Sequence, residues 1–587
     1  MAPLPFNALV GLLRCPDCGG GFAFEAVPQP AGVGGAYGVL ACACFEYPVV
    51  SDVPVLKKGP VTVNSISDAR VVLQGPTPER LVGLVRAGAG LEGLLDLLAF
   101  PVCPWPLNRL GAGRALAQVE PFRSVGTAVR RRALRRRLLG GHGDLTAEDW
   151  FSLFYWRSPA SFDPFSYFFY RFGQPRHLAA LSLVSALPVG EKPVLDLACG
   201  YGHLLHALTT GARARGAVGF DQNFHQAWVG RHWVAPGAHF VCGDADRPLP
   251  FRDAALSAAV CADAFHYFDR RAECLAELRR CTAGGTIVLA RVGNRLVGPH
   301  EGEELAPEAY AALLEPWPAR LLGEDELVAG YLRGEGPDLA AAADPARYAD
   351  EKWLYLVASA DGAVLQKHGA FGAWPHATGR LTLNPLYERE GARTFRLRFP
   401  SPWYAFENAG VAAYHPAQVT PDADALADLA AGRRTPRVEA LAERFVALGL
   451  TARYARGRGR PWFVAANRAL SALVQGVRGR RVVADKGAEV PFTPSAAGLL
   501  EPLAAGAAPA DVGPGGEVFW PQRGPEHERA RSEPAAFIAR GPLSQRGPSR
   551  GGGPKVVGVR DRVADVSTPP GRGAPVAVEV ERGVDGA

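Results

Sequence analysis

The run Pro193-Val-Leu-Asp-Leu-Ala-Cys-Gly-Tyr-Gly-His-Leu-Leu205 constrains this chain more than any other. A β-type apolar stretch ends on a carboxylate, Asp196, meets Gly200 and Gly202, and continues as an apolar helix. Glycines in such a turn adopt backbone conformations closed to other residues and let a ligand come close to the helix start. A second β-type run, Ala217 to Phe220, ends at Asp221, about 19 residues beyond Gly202, the spacing of one β–α–β unit whose second strand offers a carboxylate to ribose hydroxyls. Asp196 would repel a pyrophosphate but suits a ligand carrying an ammonium and a sulfonium. Leu205 stands where the third glycine of a dinucleotide fingerprint would be, which argues against a nicotinamide cofactor.

Apolar runs and helical patterns alternate from about 186 to 295, as in a parallel α/β sheet. A third strand, Ala238 to Cys242, leads into Gly243-Asp244-Ala245-Asp246. A fourth, Leu256 to Cys261, leads into Asp263-Ala-Phe-His266-Tyr-Phe, and a fifth spans Thr286 to Arg291. The series LDLACGYG, GFDQN, VCGDADRPLPF, AAVCADAFHYF and LAELRRCTAGGTIVLAR resembles the class I S-adenosylmethionine-dependent methyltransferases, particularly the type 11 methyltransferase domain group. The resemblance implies an α/β fold with a Rossmann-like seven-stranded domain over 186–359 (core 186–295), closed by antiparallel sixth and seventh strands between about 315 and 359. It also implies that Asp196, Gly200 and Gly202 hold the methionine end of the cofactor, with Ala198 in place of the first glycine. Asp221, followed by Gln222, would bind ribose, and Asp244 and Ala245 would face adenine.

The catalytic group is less constrained, because methyl transfer from a sulfonium needs little beyond alignment and a base. His266, in the turn after the fourth strand, has the right pKa range and position to be that base. No Asn/Asp-Pro-Pro-aromatic motif follows that strand and no Pro-Cys pair occurs there, which disfavours exocyclic amino groups and cytosine C5 as targets. The aromatic segment from Trp150 to Phe172 either packs helices or roofs the cofactor pocket.

Cys15-Pro-Asp-Cys18-Gly-Gly is a zinc-knuckle spacing, and a second pair, Cys42 and Cys44, follows in a segment too short to bury a core of its own. The runs LLRCPDCGG, VLACAC and YPVVSDVPVL resemble the zinc ribbon of small methyltransferase activator proteins, with Cys-x-Cys standing where that family has Cys-x-x-Cys. This implies a structural zinc on Cys15, Cys18, Cys42 and Cys44 over 1–58. A helical segment that also lids the cofactor domain is expected over 59–185, an accessory α+β region over 360–475, and a disordered tail over 476–587, where Gly, Pro, Arg and Ala dominate without periodicity.

The 68 glycines and 50 prolines are about a fifth of the chain, well above the usual ~12%. The net charge of +6 is small for 587 residues, so charge alone points to neither nucleic acid nor membrane. The amino terminus lacks a secretory signal and no apolar run approaches ~18 residues, so a cytoplasmic protein with no membrane span is expected. The expected function is methyl transfer to an O, N or C atom of a small metabolite or lipid-like acceptor. Two alternatives stay open. One is an RNA base methyltransferase, for which Val129-Arg-Arg-Arg-Ala-Leu-Arg-Arg-Arg-Leu-Leu139 could grip phosphates. The other is a non-catalytic cofactor-binding scaffold whose ribbon recruits a protein partner.

Overall fold

The computed structural model describes residues 4–30, 34–66, 71–100, 122–140, 145–155, 164–187, 190–211, 216–297, 304–408, 411–412, 414–455, 481–483 and 489–491. Beyond a short antiparallel pair, Arg481–Val483 with Glu489–Pro491, the expected tail lies outside them.

The amino-terminal ribbon is a four-stranded antiparallel sheet of β1 (Ala23–Ala26), β2 (Gly38–Ala41), β3 (Glu46–Val50) and β4 (Val53–Pro54). It does not stand apart. Leu13 bridges Phe251, Arg14 N–H donates to the Pro250 carbonyl at 3.0 Å, and Leu56 N–H donates to the Cys242 carbonyl at 2.8 Å. Leu9, Leu13, Leu40, Tyr47 and Val49 share one hydrophobic core with Leu195, Val218, Phe220 and Val241 of the α/β sheet. The ribbon thereby covers an edge strand that would otherwise present unpaired backbone.

Residues 59–185 are not all helical, as the leucine spacing implied. They open on a hairpin, β5 (Thr62–Ile66) with β6 (Val71–Gln74), because β-branched residues alternate there before the helical period of Pro78–Arg86 and Gly90–Leu98 begins. The arginine-rich run does form a helix, Phe122–Leu139, yet Arg131 and Arg135 pair with Glu92, and Arg131 also with Asp96, of the neighbouring helix.

The main sheet comprises β7 (Val194–Leu197), β8 (Ala217–Asp221), β9 (His239–Cys242), β10 (Ala258–Ala262), β11 (Thr286–Gly293), β12 (Ala319–Gly323) and β13 (Trp353–Ser359), in the order β12-β13-β11-β10-β7-β8-β9. β7 through β11 run parallel and are almost entirely buried, which explains their near-continuous apolar sequences. One expectation needs correction. β13 alone opposes the rest, while β12 pairs only with β13 and runs in the common direction. Strand order reverses beside β7, so the carboxyl ends of β7, β8 and β10 open on a crevice, the place where ligands bind in such sheets.

The region after β13 adds two small antiparallel sheets and several helices that pack back on the roof of this crevice. Tyr454 hydroxyl donates to the Phe169 carbonyl at 2.8 Å, and His206 Nε2 lies 3.0 Å from the Gly449 carbonyl.

Candidate active site

A cavity of about 330 Å3 lies at the carboxyl edge of the sheet. Its first end is built by backbone. Beyond β7, Ala198, Gly200 and Gly202 all take positive φ, at 55°, 54° and 76°, and Gly202 opens the helix His203–Thr210. A Cβ on Gly202 would stand 2.6 Å from the Phe240 ring, so both space and conformation demand glycine there. The turn is fastened to the next strand, since Gly200 N–H donates to Asp221 Oδ2 at 2.9 Å while Asn223 N–H donates to Oδ1 at 2.8 Å.

Asp196, Ala198, Gly200, Asp221, Gln222, Asp244 and Ala245 all line this end; Gly202 shapes it from behind. Burial, then the nearby Asp221, pushes the Asp196 carboxyl up to about 8, with Arg171 offsetting part of this. Burial likewise raises Asp221, against the lowering effect of the amides it accepts. Two buried carboxyls close together form a site short of positive charge, which a ligand bearing an ammonium and a sulfonium would supply.

The other end is built by side chains from distant segments. Asp263, left-handed at the end of β10, accepts from the Tyr167 hydroxyl at 2.5 Å and from both terminal nitrogens of Arg171 at 3.1 Å, all on Oδ2. Arg291 donates to Oδ1 and its guanidinium lies 3.6 Å from the Trp353 ring centre. Arg291 comes from an irregularity in β11, where the register with β13 shifts between Leu289 and Val292 and φ is 56°. The shift re-aims a side chain that a regular strand would send elsewhere. Burial alone would raise the Asp263 pKa, but Arg291, Arg171 and Arg176 together hold it well below the carboxylate range.

The roof comes from the aromatic segment. Tyr155, Tyr167 and Phe168 face the cavity, whereas Trp150, Phe151, Phe154, Phe165 and Phe169 are buried in packing, so the segment serves both expected roles; Trp156 and Phe162 lie outside the described residues. Tyr155 is held by hydroxyl contacts to Tyr201 at 3.0 Å and Gln226 at 2.9 Å, which ties the roof to the cofactor end.

His266 does not join this site. It is fully buried against Tyr267, and the cavity wall passes through Asp263, Ala264 and Tyr267 instead. Residue spacing could not distinguish which side of that short turn faces inward. His177, which the sequence did not single out, does line the cavity. Burial, then His203, lowers its pKa well below the usual value, and its buried Nε2 has no hydrogen-bond partner among the described residues. Burial thus favours its neutral form and makes it a weak base.

The four amino-terminal thiols converge away from this cavity. Cys15, Cys18, Cys42 and Cys44 Sγ atoms lie within 4.8 Å of one another, with separations of 3.6 Å (Cys15–Cys44), 3.8 Å (Cys18–Cys42) and 3.5 Å (Cys42–Cys44). A tetrahedron with Zn–S of about 2.3 Å has edges of about 3.8 Å, so the cluster fits zinc, and Cys-x-Cys completes it because the pair caps the hairpin between β2 and β3. Tyr47 hydroxyl, 3.5 Å from Cys15 Sγ and donating to Asp17 at 2.6 Å, backs the cluster.

Residues 195–290 match the family model described as a methyltransferase domain. This stretch is a methyltransferase domain. No curated protein matches the chain. Solved structures similar to it include the complex of the Trm112 methyltransferase activator with a methyltransferase from Haloferax volcanii, at 19% identity over 31% of this chain and 89% of that one, TM-score 0.25. The YcgJ protein of Bacillus subtilis matches at 19% identity over 32% and 99%, TM-score 0.23. Geranyl diphosphate C-methyltransferase of Streptomyces coelicolor, solved with S-adenosyl-L-homocysteine, matches at 16% over 31% and 76%, TM-score 0.25. Among the described residues, no helix is long and apolar enough to cross a membrane.

Proposed function

We propose that this methyltransferase acts on a small molecule enclosed between the aromatic roof and the carboxyl ends of β7, β8 and β10. The observation that carries the reading is that one cavity joins two unlike ends: strand-end carboxyls form one and an aromatic, arginine-rich wall the other, within the size range of small-molecule pockets, roughly 300–1,000 Å3. S-adenosylmethionine, when bound, supplies an electrophilic methyl on a sulfonium. Asp221 would accept the ribose hydroxyls, Asp196 would ionise beside the methionine end, and Asp244 with Ala245 would face the adenine, as the motif resemblance implies. Phe168, Trp353 and Trp403 offer apolar walls that orient an acceptor and exclude water. His177 is better placed than His266 to contact the acceptor, since it lines the cavity.

An RNA acceptor is less supported. The basic helix Phe122–Leu139 commits Arg131 and Arg135 to carboxylates of its own chain, leaving a shorter basic face. The ribbon's apolar face is likewise occupied in cis by the catalytic domain, so a recruited partner would have to use its outer surface. The test is to incubate the protein with S-adenosylmethionine labelled on the methyl, using small-molecule and RNA fractions of a cell extract. Label should enter the small-molecule fraction and be lost in Asp221→Ala; label confined to RNA would overturn the acceptor class.

A further inference from the structure

We propose that the acceptor end of the cavity is a receptor for an anionic oxygen group, a carboxylate or phosphate, with Arg176 as the residue that grips it. The inference rests on the methyl-transfer reading above and names the acceptor's chemical class.

Arg176 is the second residue of the helix Pro175–Val184 and lines the cavity with a side chain only 10% exposed. Its recorded partners are weak: Asp263 Oδ2 at 3.8 Å, beyond hydrogen-bond reach, and the Tyr167 ring, 5.3 Å from its guanidinium carbon. Asp263 has little left to give it, because Oδ2 already accepts from Tyr167 and Arg171 and Oδ1 from Arg291. A guanidinium carries five N–H donors, and here none has an acceptor among the described residues. A forked donor set facing a cavity matches the two oxygens of a carboxylate or phosphate.

Several guanidiniums are gathered at this end of the cavity. Three guanidiniums, Arg171, Arg176 and Arg291, converge on one carboxylate. The nearest second acid, Glu324, sits 3.6 Å from Arg291 and holds the Tyr355 hydroxyl at 2.6 Å. Lys352, also on the wall, is 3.9 Å from Glu304, and Glu407 contributes one further acid to the lining. The arginines divide by position. Arg171 is committed to Asp263 by two hydrogen bonds and also acts on Asp196, whereas Arg176 reaches Asp263 only at 3.8 Å. One arginine is thus engaged by hydrogen bonds within the chain, and the other keeps its donors for the acceptor.

The test is calorimetry on the full chain saturated with S-adenosylhomocysteine. The probes are 3-phenylpropanoate, phenyl phosphate and the neutral 3-phenylpropanamide. At least one anion should bind about tenfold or more tightly than the amide, and which one does so distinguishes carboxylate from phosphate. Arg176→Gln should erase that preference while leaving S-adenosylhomocysteine affinity within about twofold. Equal binding of the amide, or no binding of either anion to the loaded protein, would overturn the proposal. So would a tenfold loss of S-adenosylhomocysteine affinity in Arg176→Gln, which would assign the arginine to the cofactor's own carboxylate. Failure of the wild type to bind S-adenosylhomocysteine at all would instead break the methyl-transfer reading itself.

Discussion

The two ends of the cavity are made differently. The cofactor end is a single stretch of backbone, the β7 turn with the carboxyl that closes β8, and its residues lie within about 50 positions of one another. The acceptor end is a convergence of Tyr167, Arg171, Arg176, Asp263, Arg291, Trp353 and Trp403, brought from segments more than 200 residues apart. Where backbone conformation sets a site, local sequence must encode it. Where side chains from separate segments meet, only the completed fold does.

The sharpest way to break this contrast is to remove the carboxylate that holds the acceptor end together. Asp263→Asn leaves Arg171, Arg176 and Arg291 facing one another with only Glu324, against Arg291, as a close buried counter-charge. It should cost about 3–5 kcal/mol of unfolding free energy, read from a urea melt. A loss under 1 kcal/mol would mean the arginines find other partners and the end is not charge-organised.

Gly202→Ala probes the backbone-made end. Its Cβ would meet the Phe240 ring at 2.6 Å and Leu205 Cδ1 at 3.0 Å in a left-handed conformation. Strain and overpacking together predict about 2–4 kcal/mol, mostly expressed as lost cofactor affinity. Unchanged affinity in calorimetry would show that the turn tolerates a side chain.

These two sites also show what the sequence could and could not reveal. The placing of Asp196, Gly200 and Asp221 along the cavity, and the left-handed turn at Gly202, were legible because such a turn and a strand-end carboxylate recur at fixed spacing. Arg291 was not, since its orientation arises from a shift in β11–β13 register that depends on a strand more than 60 residues away. His266 attracted attention by residue type, yet one step along the same turn, Tyr267, is what reaches the cavity. The β5–β6 hairpin was hidden within a leucine-rich neighbourhood, and the direction of β12 depends on pairing that no local pattern records.

A third comparison uses pH. In the empty site the Asp196 carboxyl is pushed up to about 8, mainly by burial and then by Asp221. A cationic ligand favours the ionised form, so its binding lowers this pKa and releases a proton at neutral pH. Affinity for S-adenosylmethionine should therefore rise with pH up to about 8, by at most about tenfold per unit, and level off above it. Calorimetry in buffers of different ionisation enthalpy checks the released proton; Asp196→Asn should flatten the profile.

The smallest effect belongs to Ala198, an alanine held at φ 55°. Ala198→Gly should relieve up to about 1 kcal/mol of left-handed strain, partly offset by the added freedom of the unfolded chain. A thermal melt that moved downward would show that the alanine methyl contributes packing that outweighs the strain.

The central claim is that Asp196, Asp221 and the turn between them form the cofactor site, independent of the arginine end. Titration of S-adenosylhomocysteine into wild type, Asp221→Ala and Arg176→Gln tests it most directly. The account predicts one site per chain with micromolar affinity in wild type, loss in Asp221→Ala and near-unchanged binding in Arg176→Gln. Binding that survives Asp221→Ala, or that is absent from well-folded wild-type protein, would contradict it.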